Sequence, residues 1–466
     1  MQITLPLGNQ SSGTQEKRSK QAKVLFPQPS YRMEHLRLLL IALSLTLAHS
    51  AYNSAGGPRP PRPVRTVEPL LQWQQLEYGF PTAQDRQDAQ TAGNLVPENG
   101  TPIDVQAQHM ANGMVRVFTT IPRFANGIPY TLATVSDQVG GKGPLLQPYP
   151  SYSWHNGHGE NCDLITSAFR VAITECNQMW VIDSGIIGTD QLCPPQLLQF
   201  DLKTDSLLHR YRFPNDTYIP RGSLFITPSV LVQDPPPRGS CSRTMIYIAD
   251  VSYHGLVVYD HQANTAWRAE NRFMYPDPDY GRHTIADESF DLMDGLFSVN
   301  NDKRNLYFHP LASVGEYAVP LSVLNRRENW ASGVEAMADQ FKLLGRRKSE
   351  CAASAIDSMN NVYCVTFNPI KLFVWNVNTP YSSRNFGALP AKSEDLQFVS
   401  GMKVVRNPAG YEELWLLSNR FQKISAGTLN SNEVNFRILR RKLDDVQGGV
   451  FFASDDELSN RLVFKP

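Results

Sequence analysis

The sequence predicts an all-β fold, a six-bladed β-propeller, on three observations. A strand motif, an aromatic residue set between aliphatic ones, recurs along the chain at near-regular spacing. Around each copy the residues read as four short strands. The composition, with 10% aromatics, 33 prolines among 466 residues and few helical stretches, favours short strands joined by turns.

The motif is clearest at Met179-Trp180-Val181, Ile246-Tyr247-Ile248, Leu306-Tyr307-Phe308, Val362-Tyr363-Cys364 and Leu414-Trp415-Leu416, with a weaker copy at Val115-Arg116-Val117-Phe118. From Val117 onward the spacings are 63, 67, 60, 56 and 52 residues, the size of a blade. The second unit shows the pattern in full. AFRVAIT (168–174), MWVID (179–183), LLQFDL (197–202) and LLHRYRF (207–213) alternate as strands, with Gly, Pro, Asn and Asp in the gaps. Blades are expected to begin near Ile103, Ile165, Phe225, Leu292, Ala352 and Leu396. The alternating stretch Leu71 to Tyr78 is expected to add the outer strand of the last blade and so remove an exposed edge. Glu328 to Leu344 reads as helical, a decoration between the fourth and fifth blades. A pair of separate β-domains would leave the six spaced motifs to chance. The propeller is bounded at 70–445, followed by a tail at 446–466.

Ahead of it, 1–32 is polar and unpatterned, 33–50 reads as a signal peptide and 51–69 as a Pro/Gly-rich linker. Leu38 to Leu47 is an apolar run of ten residues, preceded by Arg37 and followed by Ala48-His49-Ser50, with small residues where a signal peptidase cuts. The run is too short to span a bilayer, so no membrane anchor is expected, and Met33 reads as the natural initiator. Six cysteines, Cys162, Cys176, Cys193, Cys241, Cys351 and Cys364, fit disulfides in an exported chain, and 15 pairings are open. Asn99-Gly100-Thr101 and Asn215-Asp216-Thr217 are glycosylation sequons in turn-rich stretches. The expected location is therefore extracellular.

Lys+Arg and Asp+Glu both number 44, so bulk charge does not attract nucleic acid. The chain lacks a G-x-S-x-G elbow, an H-E-x-x-H pair, a phosphate-binding loop and a dinucleotide fingerprint, and no cofactor is implied.

In a propeller, loops leaving the second strand of each blade and loops leading into the first build one mouth of the axial channel. Three residues past each motif lie Thr120, Asp183, Asp250, Pro310, Thr366 and Ser418, a mostly polar ring. Beyond them come Arg123, Ser184, Ser252, His254, Asn368, Asn419 and Arg420, with His309 at the edge of the fourth blade. The loop Tyr152 to Asn161 holds His155, His158 and Glu160. Imidazole and carboxylate can shuttle protons or hold metal, but two glycines and no helix leave ligand geometry unfixed, so no metal is expected. The acidic loop Tyr275 to Asp291, with His283 inside, lacks calcium-loop spacing and reads as a solvated lid.

Several of these segments together resemble the yellow / major royal jelly protein family of insects, from about Trp73 to Leu439. They are Val117-Phe118-Thr119-Thr120-Ile121-Pro122-Arg123 with Gly127-Ile128-Pro129-Tyr130-Thr131-Leu132, Met179 to Gly185, Cys193-Pro194-Pro195, Phe200-Asp201-Leu202, Tyr247-Ile248-Ala249-Asp250 and Glu413 to Phe421. The resemblance implies a secreted six-bladed propeller. Members of this diverse family act in cuticle pigmentation, in dopachrome rearrangement during melanin formation, in binding biogenic amines, or as nutrient proteins. Two expectations follow. A dopachrome isomerase or tautomerase needs a base near neutral pKa and a cationic partner for substrate oxygens. Positions in the ring nominate His155, His158, His254 or His309 as base and Arg123 or Arg420 as partner. An amine-binding protein needs a carboxylate with aromatic walls, and Asp183 and Asp250 with Tyr253, Phe367 and Phe421 are the nominees. Asn368 and Asn419 complete the expected contacts. The partner expected is a small aromatic molecule, a dopachrome or a catecholamine-like compound, and the enzyme reading is preferred; a structural role in cuticle is a further alternative.

Overall fold

Each motif lies on the second strand of an antiparallel sheet, and six such sheets stand around one axis in the computed structural model, which describes residues 66–444 and 446. The blades open with inner strands Asp104–His109, Ala168–Ile173, Phe225–Val232, Leu296–Asn301, Cys351–Ile356 and Val399–Arg406. Each inner strand touches that of the next blade, and the sixth touches the first, so the ring is closed. The second strands end at Thr120, Asp183, Asp250, Pro310, Thr366 and Ser418, the six positions the motif spacing singles out.

The motif recurs because its aromatic residue wedges one blade against the next. Trp180 meets Tyr259 of the third blade edge-on at 6.2 Å. Tyr307 meets Trp375 of the fifth at 5.9 Å. Tyr247 donates its hydroxyl to Asn325 Oδ1, at the edge of the fourth. Truncating a buried aromatic of this kind to alanine costs about 3–5 kcal/mol.

Closure differs in detail from the sequence reading. Glu68–Trp73 pairs antiparallel with Phe436–Lys442 and completes the sixth blade. Glu77–Tyr78 instead adds in parallel to Pro144–Pro148 at the outer edge of the first. The stretch from Leu71 to Tyr78 is thus shared between two blades. It bends where Gln74 N–H donates to Lys142 O at 2.8 Å and Trp73 Nε1 donates to Pro144 O at 2.7 Å. Gly143, at φ 155°, permits this approach, since a Cβ there would stand 2.4 Å from the Trp73 ring.

Glu328 to Leu344 is not a helix. It holds two short 3-10 turns, Arg327–Trp330 and Ala338–Gln340, and then enters Lys342–Arg346, the fourth strand of the fourth blade. Gly333 at φ 138° breaks the helical path between the turns. The helix Ala83–Thr91, capped by Thr82 on Asp85 N–H, lies ahead of the first blade, in a stretch the sequence reading left unassigned.

The cysteines pair as Cys162–Cys193, Cys176–Cys241 and Cys351–Cys364. The second joins the turn after the inner strand of blade two to a loop of blade three and closes 65 residues, worth about 4 kcal/mol by loop entropy. Asn99 and Asn215 are both exposed. The extension, signal and most of the linker, and the tail beyond 446, lie outside the described residues.

Candidate functional site

Polar residues that end the second strands are engaged by the protein's own backbone and side chains. Asp183 accepts from Thr166 N–H at 2.9 Å, Ser167 N–H at 2.7 Å and Gln196 Nε2 at 3.0 Å. Asp250 accepts from Leu224 N–H and Ser223 Oγ and pairs with Arg268 at 2.8 Å. Ser418 Oγ donates to Gln397 O, and Thr120 Oγ1 to Phe169 O in the next blade. In the second, third and sixth blades this residue ties down the loop leading into its own inner strand. A buried strand end needs such partners for the loop's free backbone groups.

Inside that ring lies an axial well of about 200 Å³. Phe124, Phe169, Phe297, Phe398 and Phe421 form its walls, and Arg170, Asp294, Ser400 and Asn419 are its polar groups. Arg170 is buried on the inner strand of blade two. Its Nη2 donates to Ser400 O at 2.9 Å, and its guanidinium lies 4.8 Å from the Phe297 ring centroid. Its Nε and Nη1 have no hydrogen-bond partner. Burial lowers its pKa to about 10, opposed by Asp104 and Asp294, so it stays cationic at neutral pH. Asp294 precedes the inner strand of blade four. Burial pushes its carboxyl up to about 6, against the pull of His283 and Arg170. Deeper in, Lys403 Nζ stands 3.1 Å from Asp104 Oδ1.

A polar vestibule of about 330 Å³ adjoins the well and shares Phe124, Phe169 and Leu224 with it. Ser184, Thr189, Arg221 and Ser252 line it. A hairpin, Arg282–Ile285 with Glu288–Asp291, straps the mouth. Its Phe290 packs on Phe398 and Phe421, and Glu288 pairs with Lys423 of the sixth blade. His283 is enclosed beneath, Nε2 2.9 Å from Leu292 O and Nδ1 3.4 Å from Glu350 Oε1. The acidic loop read as a solvated lid is therefore anchored through His283, Glu288 and Phe290 in its second half.

Of the nominated residues, Asn419 and Phe421 line the well, and Phe367 stacks on Phe398 at 5.4 Å behind it. Arg123 borders the vestibule with its guanidinium fully engaged, donating to the carbonyls of Ile128, Pro129, His155 and Thr166. None of the four histidines lines the well or the vestibule. His155 is enclosed, Nε2 on Tyr149 O at 2.8 Å, and burial drives its pKa down to about 3. His158 is lowered to about 4 by burial and Arg123. His254 turns Nδ1 to Val251 O, and His309 bridges Glu316 and Ala352 O. Tyr253, 46% exposed, covers Arg268. Arg420 serves Glu433, Asn435 and Gln397, and Asn368 N–H donates to Ser349 Oγ on the surface. Arg170 and Asp294 carry the charge in the well, and the sequence reading named neither. The signal for Arg170 was its place in AFRVAI, an inner strand otherwise apolar at its centre.

The chain is thus a disulfide-braced six-bladed propeller with a charged, aromatic-walled axial well. The family model described as major royal jelly protein matches residues 166–451. Major royal jelly protein 9 of Apis mellifera is 33% identical over 387 residues, covering 80% of this chain and 87% of that protein. Dopaminechrome tautomerase of Drosophila melanogaster is 29% identical over 395 residues, 82% of each chain. Protein yellow of Drosophila subobscura is 30% identical over 416 residues, 86% of this chain and 69% of that one. The chain belongs to the major royal jelly protein family.

Proposed function

We propose that the protein is an extracellular tautomerase that converts aminochromes, the cyclised quinones of catecholamines, to dihydroxyindoles in the axial well. The observation that carries this reading is Asp294, a carboxyl raised to about 6, sharing an aromatic-walled cavity with the two unpartnered nitrogens of Arg170. A base with a pKa of about 6 is largely ionised at neutral pH and still accepts a proton readily. In the reaction Asp294 takes a C–H proton from the saturated carbon of the five-membered ring. The electron pair moves into the ring system and onto a quinone oxygen, where Arg170 N–H groups stabilise the growing charge. That oxygen takes a proton through the vestibule, giving a quinone-methide isomer. A second proton then leaves the neighbouring saturated carbon and the other oxygen is protonated, so two C–H protons are exchanged for two O–H protons and the dihydroxyindole is an isomer of the substrate. Phenylalanine walls suit a flat bicyclic ligand. The relative named dopaminechrome tautomerase, similar over 82% of both chains, supports the choice of substrate class. Three disulfides suit an oxidising compartment.

The test is loss of visible absorbance of dopaminechrome and of dopachrome with purified protein, against heat-inactivated protein. Saturable acceleration that Asp294→Asn lowers by about 10²-fold or more supports the proposal. A second reading is favoured by the same carboxylate among aromatic rings, which can seat an ammonium group. No acceleration, with calorimetric binding of dopamine that Asp294→Asn abolishes, moves the protein to amine capture.

A further inference from the structure

A cavity of about 490 Å³ lies away from the axial well in the cleft between the fourth and fifth blades. Its volume falls in the range of small-molecule sites. Four basic side chains line it, Arg346, Arg347, Lys348 and Lys371, and no carboxylate does. Arg347 is committed to the fold, with Nη1 on Glu316 at 3.0 Å and Nη2 and Nε on the carbonyls of Ser313 and Ser349. Arg346 is different. It is half exposed at the end of the outer strand of blade four, and its nearest acid, Asp277, stands 3.7 Å off, beyond hydrogen-bond reach. Lys371 begins the third strand of blade five, where its carbonyl accepts from Thr366 Oγ1, and its ammonium makes no hydrogen bond or ion pair among the described residues. Between these cations the wall is aromatic. Phe373 and Phe386 meet edge-to-face at 4.7 Å.

We infer that this cleft is a second ligand site, for an aromatic molecule carrying a tetrahedral oxyanion, an aryl phosphate or aryl sulfate. Arg346 and Lys371 bind the oxyanion by charge-assisted hydrogen bonds, and the Phe373 and Phe386 edge takes the ring. A neutral ligand would give the Lys371 ammonium no counter-charge, and a bare inorganic anion would leave the aromatic wall uncovered. The site shares no lining residue with the axial well or its vestibule, so it stands whether or not the well is catalytic.

The test is titration calorimetry of the full mature protein with phenyl phosphate, phenyl sulfate, phenol and inorganic phosphate. One-to-one binding of at least one aryl ester is expected, roughly tenfold or more tighter than phenol or inorganic phosphate, and weakening as NaCl rises. The tighter of the two esters names the natural oxyanion. Lys371→Glu and Arg346→Glu, each checked for an unchanged melting temperature, are each expected to weaken binding roughly tenfold or more. The inference is overturned if neither ester binds, if inorganic phosphate binds as tightly, or if both charge reversals leave affinity intact. It is equally overturned if Arg170→Met, and not Lys371→Glu, removes binding, since the anion then sits in the axial well.

Discussion

The Arg170 guanidinium lies 4.8 Å from the centroid of Phe297, so a cation on blade two is held against an aromatic wall supplied by blade four. The contact spans the axis. Arg170 Nε and Nη1 are buried without a hydrogen-bond partner, and in a site so poor in solvent a hydrogen bond to a developing oxyanion is worth most.

Asp294 links activity to stability. With a carboxyl at about 6, kcat/KM for the aminochrome rises with pH through about 6 and levels above about 7, after subtraction of the uncatalysed rate. The folded pKa exceeds the unfolded value of 3.8, so the folded state holds the proton more tightly. Stability therefore falls as pH rises from about 3.8 to about 6 and stays lower above. Asp294→Asn should be inactive and more stable at pH 8 by about 1–3 kcal/mol, read by denaturant unfolding. A variant that is inactive and also less stable would refute the assignment.

Arg221 places a cation in the vestibule. Dopachrome carries a carboxylate that dopaminechrome lacks. Arg221→Ala should raise KM for dopachrome several-fold and leave dopaminechrome turnover unchanged, in parallel assays of the two substrates. Equal effects on both would remove Arg221 from substrate selection.

The Glu288–Lys423 pair clamps the hairpin strap onto the sixth blade, with Lys423 and Thr428 holding the Glu288 carboxyl below its usual range. Lys423→Met should speed ligand release and expose residues 282–291 to limited proteolysis, with little change in melting temperature, since partly exposed pairs contribute about 1 kcal/mol or less. Unchanged cleavage would mean that Phe290 packing alone holds the strap.

His155 is expected to matter for folding alone. Its folded pKa of about 3 lies below the model-peptide value of 6.5, so the stability it contributes is present above about 6.5 and is lost as pH falls toward about 3. His155→Gln should lower the melting temperature at pH 7.5, flatten the acid side of the stability profile and leave kcat per folded molecule unchanged. A selective loss of kcat would return this histidine to the chemistry.

The architecture was legible because a blade repeats one physical problem, the wedge between neighbours, and five aromatic solutions with an aliphatic sixth at Val117 survive at near-regular spacing in the sequence. Trp180, Tyr247, Tyr307, Tyr363 and Trp415 mark second strands whose ends fall where the spacing puts them. The site was less legible. The polar strand ends looked like a ligand ring because sequence shows which residues are polar and not which backbone groups claim them. Asp183 and Asp250 are consumed by the loops beside them. Arg170 and Asp294 come together from different blades, and no local pattern records that the two line one cavity. The cysteine pairs were undetermined for the same reason.

The pairing of Glu68–Trp73 with Phe436–Lys442 sets a schedule for biosynthesis. The first strand to leave the ribosome must wait for a partner made more than 360 residues later, several tens of seconds at ~5–20 residues per second. Throughout that interval both rims of the unfinished ring are open. Chaperones that shield bare strands during synthesis, and stop codons that truncate the final blade, should therefore govern the yield of this protein more strongly than any substitution within the earlier blades.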